Sequence, residues 1–357
     1  TVAAGGGSIC TLRDGRVRVG PESAGADPGP ACYGAGGPLT LTDVNLLLGR
    51  LDADRFGIPL DLAAARRRLE ELLAGLAELG QTPAEETLLG GLLEIADERM
   101  AEAIRAISVR RGYDPRDHAL VAFGGAGAQH ACAVAELLGV GAVVVPEDAA
   151  LLSARGLRSA VVERFAERQV LAELEAVADC LDGWLDELAA RAVAEVEAQG
   201  VVMARVRRRL AFLRFAGQES TLEVAIEPGR SLRDAFETAY LEIYGYRPES
   251  RAVELESLRV VASSQPEAPA PMLPVVEHDA PEAGGRRVWL AGAWQELPTY
   301  DREILEPGAR FAGPALVFER HSSTVVGAGW RGRVDGARAL VLEPAAAPAA
   351  GGETDAS

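Results

Sequence analysis

Gly124-Gly125-Ala126-Gly127 stands between an apolar run, Ala119 to Phe123, and an amphipathic stretch that opens with Gln129-His130. A strand, a glycine turn and a helix start are the parts from which α/β proteins build a nucleotide site. Glycine lets a ligand come against bare backbone. The first helical turn offers unpaired N–H groups and the positive end of its dipole. The turn has neither the lysine nor the spacing of a phosphate P-loop, and it is not G-x-G-x-x-G. Tight packing of a buried strand on a helix is the competing explanation. A second turn, Gly5-Gly6-Gly7-Ser8, either ends a strand or aims its N–H groups at phosphate or ribose. His130, one helical turn past the glycines, either holds a neutral imidazole beside nucleotide or substrate or is a packed core residue. Glu22 and Asp27 lie in the ordered string from Gly20 to Pro30. Both are candidate acids for an active site or a partner surface, although Asp27 before Pro28-Gly29 also suits a turn.

The remaining reactive types narrow the chemistry. All 36 basic residues are arginine, so a Schiff base, a Walker lysine and a lysine base are excluded within the chain. Cys10, Cys32, Cys132 and Cys180 form no C-x-x-C pair, which argues against a zinc knuckle and a secreted disulfide framework and for a reducing cytoplasm. Cys32 and Cys132 read first as buried small hydrophobes, and Cys32, beside Tyr33, is the better reactive candidate of the two. His118, His278 and His321 have no partner at metal-ligand spacing. A formal charge of −17 argues against nucleic acid or an anionic membrane as partner. No apolar run is long enough to cross a bilayer.

These residues need elements to hold them. A chain of 357 residues has room for two or three domains. Periodicity predicts a strand at 16–19 and helices over 44–51, capped by Thr42, Asp43 and Asn45, and over 61–79. A third helix opens on Thr82-Pro83-Ala84-Glu85 as cap, first-turn proline and capping-box acid, with a stripe through Leu89, Leu93, Ala96, Met100, Ile104 and Ile107. Arg105 reads as a surface partner of Glu102, and Arg110 and Arg111 as cations at the helix end. After the glycine turn and its helix comes an apolar run at 140–146. An alanine-rich helical stretch over 161–200, strand alternation over 210–226, a helix over 236–244 and a strand over 253–263 follow. Tyr244-Gly245-Tyr246-Arg247 reads as packing at a corner. Residues 265–285 read as a linker, and small β elements follow at 286–290, 294–296, 314–319, 324–326 and 339–342. The tail 344–357 has a disordered composition.

Several long strings, in order, resemble the hydantoinase A/5-oxoprolinase family. They are Ala3 to Ile9, Arg18 to Gly34, Thr42 to Leu51, Arg111-Gly-Tyr-Asp-Pro-Arg-Asp117 and Phe123-Gly-Gly-Ala-Gly127, with Tyr244 to Arg247, Gly313 to Val317 and Gly329-Trp330 further on. The resemblance implies an α/β chain. Residues 1–160 would be the second, adenosine-side lobe of an actin/sugar-kinase/Hsp70-like ATPase fold, and 161–343 a smaller α+β C-terminal domain. It implies ATP and Mg²⁺ as cofactors, a hydantoinase B-type subunit as partner, and phosphorylation of a lactam or imide oxygen before ring opening. Gly124, Gly125, Ala126 and Gly127 would be the adenosine-binding turn, with Gly5, Gly6 and Gly7 near the nucleotide. The Gln129-His130 variant is similar to the oxoprolinase branch. Two departures stand out. The Asp-x-Gly-Gly-Thr phosphate loop is absent, which implies a missing N-terminal ATPase lobe and a catalytic acid outside this chain. Arg155 replaces an apolar residue. A ketone carboxylase subunit and a non-catalytic remnant that only binds a partner are the alternatives.

Overall fold

The structure is a computed structural model that describes residues 5–248, 251–265 and 271–345. Strands β1 (Ser8–Arg13) and β2 (Arg16–Ser23) pair antiparallel about Asp14-Gly15. Both turn residues have positive φ, 52° and 71°. That is the backbone an Asp-Gly hairpin turn requires. Helix α1 (Leu41–Leu47) begins earlier than the cap residues suggested. Thr40 precedes it, and Asp43 sits in its first turn rather than before it. Thr42 and Asn45 donate to Gly6 O and Leu41 O instead of capping. Asp43 is fully buried and accepts from Ala31 N (3.1 Å), Cys32 N (2.7 Å), Thr40 N (2.7 Å) and Thr40 Oγ1 (2.9 Å). It ties the loop before the helix to the helix itself.

Helix α2 (Leu62–Glu78) lies where periodicity predicts it and buries Leu69, Leu72 and Leu76, while Leu62 at its start is exposed; Asp61 caps Ala64 N. Helix α3 (Glu85–Arg110) starts after the predicted Thr82 cap. Ala84 is extended, so the capping box never forms. Glu85 and Glu86 instead occupy the first turn, where acids complement the dipole. Its buried face runs through Leu88, Leu89, Leu92, Leu93, Ala96 and Ala101. Ile107 is 55% exposed, because the last turns run beyond the core. Strand β3 (Leu120–Val121) is shorter and less buried than the apolar run suggested, with Val121 51% and Phe123 53% exposed. It is the edge strand of its sheet, so one side lacks a neighbouring strand. Helix α4 (Gly127–Leu138) crosses over to β4 (Val143–Val145), which pairs parallel with β3.

The chain forms two compact units, one from residues up to Arg155 together with those from Ala270 on, the other Gly156–Pro269. The boundary falls within helix α5 (Leu152–Arg158). The second unit contains β5 (Glu163–Glu173), α6 (Leu181–Glu197), β6 (Ala204–Phe215), β7 (Leu222–Ala225), α7 (Leu232–Tyr244) and β8 (Val253–Ser264). Its antiparallel sheet has the order β5-β8-β6-β7. The helix expected over 161–200 is therefore a strand followed by a helix. Pairing along β8 overrides the helix preference of the Ala/Glu-rich start. Tyr240 makes edge-on or tilted ring contacts with Phe215, Phe236, Tyr244 and Tyr246, the last two half exposed.

The C-terminal strands return to the first unit. They are β9 (His278–Asp279), β10 (Gly284–Leu290), β11 (Ala293–Asp301), β12 (Ala309–Ala312), β13 (Ala315–Phe318), β14 (Ser323–Val326), β15 (Trp330–Val334) and β16 (Leu340–Pro344). One sheet has the order β3-β4-β16-β15-β12-β9, and the other β10-β11-β13-β14. Strands β9, β12, β15 and β16 thus share a sheet with β3 and β4 of the first 155 residues rather than with the strands of 161–264. Residues 266–270 of the expected linker and 346–357 of the expected tail lie outside the described residues. Residues 271–277 have no regular structure, although Leu273 N donates to Gly336 O.

Asp43→Ala is expected to lower unfolding free energy by about 3 kcal/mol or more, because three buried N–H groups lose their acceptor. Chemical denaturation followed by circular dichroism measures it. A loss under about 1 kcal/mol would show that the carboxylate does not organise this corner.

Candidate functional site

The two glycine turns meet. A Cβ built on Gly6 would lie 2.7 Å from Thr42 Oγ1 and 3.3 Å from Ala126 Cβ, so Gly6 is glycine because two segments close on it. Thr42 N and Oγ1 both donate to Gly6 O at 2.9 Å. Ser8 N donates to Gly5 O and Gly5 N to Ser8 Oγ, which closes the first turn on itself. Ala24 N donates to Gly7 O, and Ser23 Oγ occupies the space a Gly7 Cβ would need. Glu22 and Asp27 flank this contact in sequence, both exposed.

Gly124 is glycine for a different reason. Its φ is +88°, its N–H bonds to Ala149 O at 2.8 Å, and a Cβ there would meet nothing within 4 Å. Gly125 has ordinary φ, and the nearest atom to a built Cβ is His321 O at 3.6 Å. No side chain caps α4, whose N-cap is Ala126. Open backbone thus leads into an uncapped helix start, the arrangement that receives anions.

His130 is 2% exposed, and its Nδ1 lies 2.6 Å from Asp97 Oδ1 of α3. Gln129 Nε2 donates to Ser323 Oγ of β14 at 3.2 Å, and Ser323 Oγ donates to Arg50 O at 3.0 Å. Burial lowers the pKa of Arg50, while the charge of Asp97 opposes that shift. A cavity of about 350 Å³ lies beside the turn, lined by Glu147, Asp148, Arg302, Glu319, His321 and Arg338 among others. Burial pushes the Glu319 carboxyl up and the Arg302 guanidinium down, and the two side chains face each other at 3.7 Å. A larger cleft, about 1060 Å³, lies along α3 and α4 and is lined by neither glycine turn.

Sequence reasoning found the turns and His130 but missed Asp97, Arg50, Arg302, Glu319 and Ser323. Asp97 alone left a signal, an acid on the apolar stripe of α3. Arg105 donates to Leu137 O rather than serving Glu102, and His118 and His278 bond to nearby carbonyls. Cys32 is not reactive as placed. It is fully buried, and burial followed by the Asp43 charge pushes its thiol pKa well up. Burial pushes Cys10 and Cys132 up to about 12. Among the described residues no group of three or more His, Cys, Asp or Glu could hold a metal, and no helix is long and apolar enough to cross a membrane.

Residues 1–165 match the family model for hydantoinase/oxoprolinase, and residues 169–345 the model for its C-terminal domain. The chain is 34% identical over 349 residues to 5-oxoprolinase PfmaA of Pestalotiopsis fici, covering 91% of this chain and 27% of that protein. It is 32% identical to caprolactamase subunit alpha of Pseudomonas jessenii, covering 96% of this chain and 52% of that one. Among solved structures, the ATP-dependent caprolactamase of P. jessenii superposes with a TM-score of 0.73 at 30% identity, covering 96% of this chain and 52% of that chain. Nucleotide-free acetone carboxylase superposes with 0.80 at 24% identity and the same coverage, a likeness of fold. The chain thus spans about a quarter to a half of these relatives' length.

Cys180 is the exposed cysteine and the other three are buried. Iodoacetamide at mildly alkaline pH is expected to modify Cys180 in the folded chain, and all four only after unfolding. Peptide mass spectrometry reads this, and alkylation of Cys32 in the folded chain contradicts it.

Proposed function

We propose, for a chain that belongs to the hydantoinase/oxoprolinase family, a share in the ATP-dependent opening of a cyclic amide. The observation that carries the reading is the meeting of Gly5–Gly7 with Gly124–Gly127 at an uncapped helix start, with open space over Gly124. The relatives named 5-oxoprolinase and caprolactamase support the same chemistry. In this reading β3, α4 and β4 belong to the adenosine-side lobe of an actin/sugar-kinase/Hsp70-like ATPase.

Gly125 and the first N–H groups of α4 would hold the nucleotide. Thr42 keeps Gly6 against Ala126 and so fixes the other wall. The small cavity beside Gly124 offers four carboxylates, three arginines and a histidine to a ribose-sized polar group. Bound ATP would supply a phosphoryl group to the amide oxygen, which leaves the attached carbon open to water; the ring nitrogen then departs and phosphate is released by hydrolysis. The described residues offer no cage for Mg²⁺, so its charge would be held through phosphate oxygens. The word "subunit" in one relative's name supports a partner chain, a hydantoinase B-type subunit in this reading.

Calorimetric titration of ATP·Mg²⁺ tests the proposal. Gly125→Val adds bulk over the turn without a left-handed backbone to strain it. Binding is expected to weaken by about tenfold or more in that variant, with the unfolding midpoint unchanged. Absence of binding by the unmodified chain, both alone and with an N-terminal ATPase lobe added, overturns the reading.

A further inference from the structure

The two glycine turns hang on one set of buried polar side chains. Gly124–Gly127 runs into α4, which carries Gln129 and His130. Gln129 reaches Ser323, Ser323 reaches the Arg50 carbonyl, and Arg50 N donates to Asn45 O at the end of α1. Thr42 of that same helix grips Gly6. His130 adds a second tie, to Asp97 of α3 at 2.6 Å, and Arg50 faces the Asp97 charge. The path through Gln129, Ser323 and Arg50 thus runs from the element carrying one turn to the helix that grips the other, and His130 fastens α4 to α3 beside it.

A core selected only for stability would not be built this way. His130 Nε2, Gln129 Oε1, Arg50 Nε and Asn45 Oδ1 are all buried without a hydrogen-bond partner. Such atoms cost free energy, and apolar side chains of similar volume would avoid the cost. A directional pair kept under these conditions orients what it is attached to. The Asp97 carboxylate accepts, so the imidazole must donate from Nδ1. That sets both the tautomer and the ring plane, as the buried aspartate does for the histidine of a catalytic triad.

We propose that Asp97 and His130 are a positioning pair for the nucleotide turn. The carboxylate fixes the imidazole, and the imidazole fixes the first turn of α4 against Gly6. The pair acts through backbone and touches no reacting atom.

Amide hydrogen exchange on the unliganded chain tests this directly. His130→Asn keeps an N–H donor close to where Nδ1 sits. His130→Gln carries its amide out to the Nε2 position and leaves Asp97 without a donor. Exchange over 5–12 and over 124–129 is expected to run about tenfold faster in the Gln variant and to stay near the parent rate in the Asn variant, with β6 and β8 unchanged in both. Asp97→Asn, which keeps shape but frees the tautomer, is expected to follow the Gln variant and decides the matter if that variant does not fold. Equal exchange in all three variants, or a change confined to one turn, overturns the proposal. ATP·Mg²⁺ affinity gives a second readout, expected to fall in the Gln variant and be kept in the Asn variant. This readout rests on the nucleotide reading. If the parent chain binds no nucleotide, that reading fails while the exchange rates still judge the pair.

Discussion

Three rungs of antiparallel ladder, Val143–Val145 against Leu340–Leu342, hold the C-terminal strands on the α/β part of the molecule. Val143, Val145, Leu340 and Leu342 are all fully buried, so the pairing is an apolar seam as well as a set of hydrogen bonds. The candidate site depends on it. Ser323 steadies Gln129, the His321 carbonyl lies under Gly125, and Arg338 pairs with Glu147 at 2.8 Å, all across the join. Part of the site's wall therefore comes from residues nearly 200 positions beyond the turn it supports. Closing so long a loop costs entropy, which the shared core of α4, β4, β14 and β16 must offset.

Buried polarity is handled in two ways in this fold. Asp43 has its acceptor capacity met by three backbone N–H groups and a hydroxyl, and it serves as a fastening between loop and helix. The Asp97–His130 group leaves several atoms unmet. Native cores seldom leave such atoms, so where they cluster the arrangement calls for a reason beyond packing. The glycines divide similarly. Gly6 is small because Thr42 and Ala126 leave no room, Gly124 because its φ is +88°, and Gly125 for neither reason. A Cβ on Gly125 would make only an ordinary contact, with the His321 carbonyl.

Local order was legible in the sequence where one element's own pattern decides it. The helix of α2, the strand at 16–19, the helix of Phe236 and the strand of Val253 all came from periodicity. It failed where a distant partner decides. Residues 163–173 carry helix-forming composition, and β8 recruits them into a sheet. The Thr82 cap gave way to an extended Ala84. For the site, the glycine turns and His130 could be read, because each carries its chemistry in its own residue type. Asp97, Arg50 and Ser323 could not be joined to them, since pairing between elements 33 to 273 residues apart leaves no local trace.

The same distinction bears on what the fold can say about substrate. Acetone carboxylase and a caprolactamase both superpose on this chain, so the backbone alone does not choose between a ketone and a lactam. A glycine turn at a helix start recognises phosphate and ribose through main-chain N–H groups, and those are identical whatever the second substrate is. Selection must then lie in side chains, which vary freely on a fixed backbone. Arg302, Glu319 and His321 line the cavity beside the turn. They sit on the C-terminal strands and their connecting loops, while the glycines sit on the N-terminal α/β part. The two stretches are joined through the β4–β16 ladder.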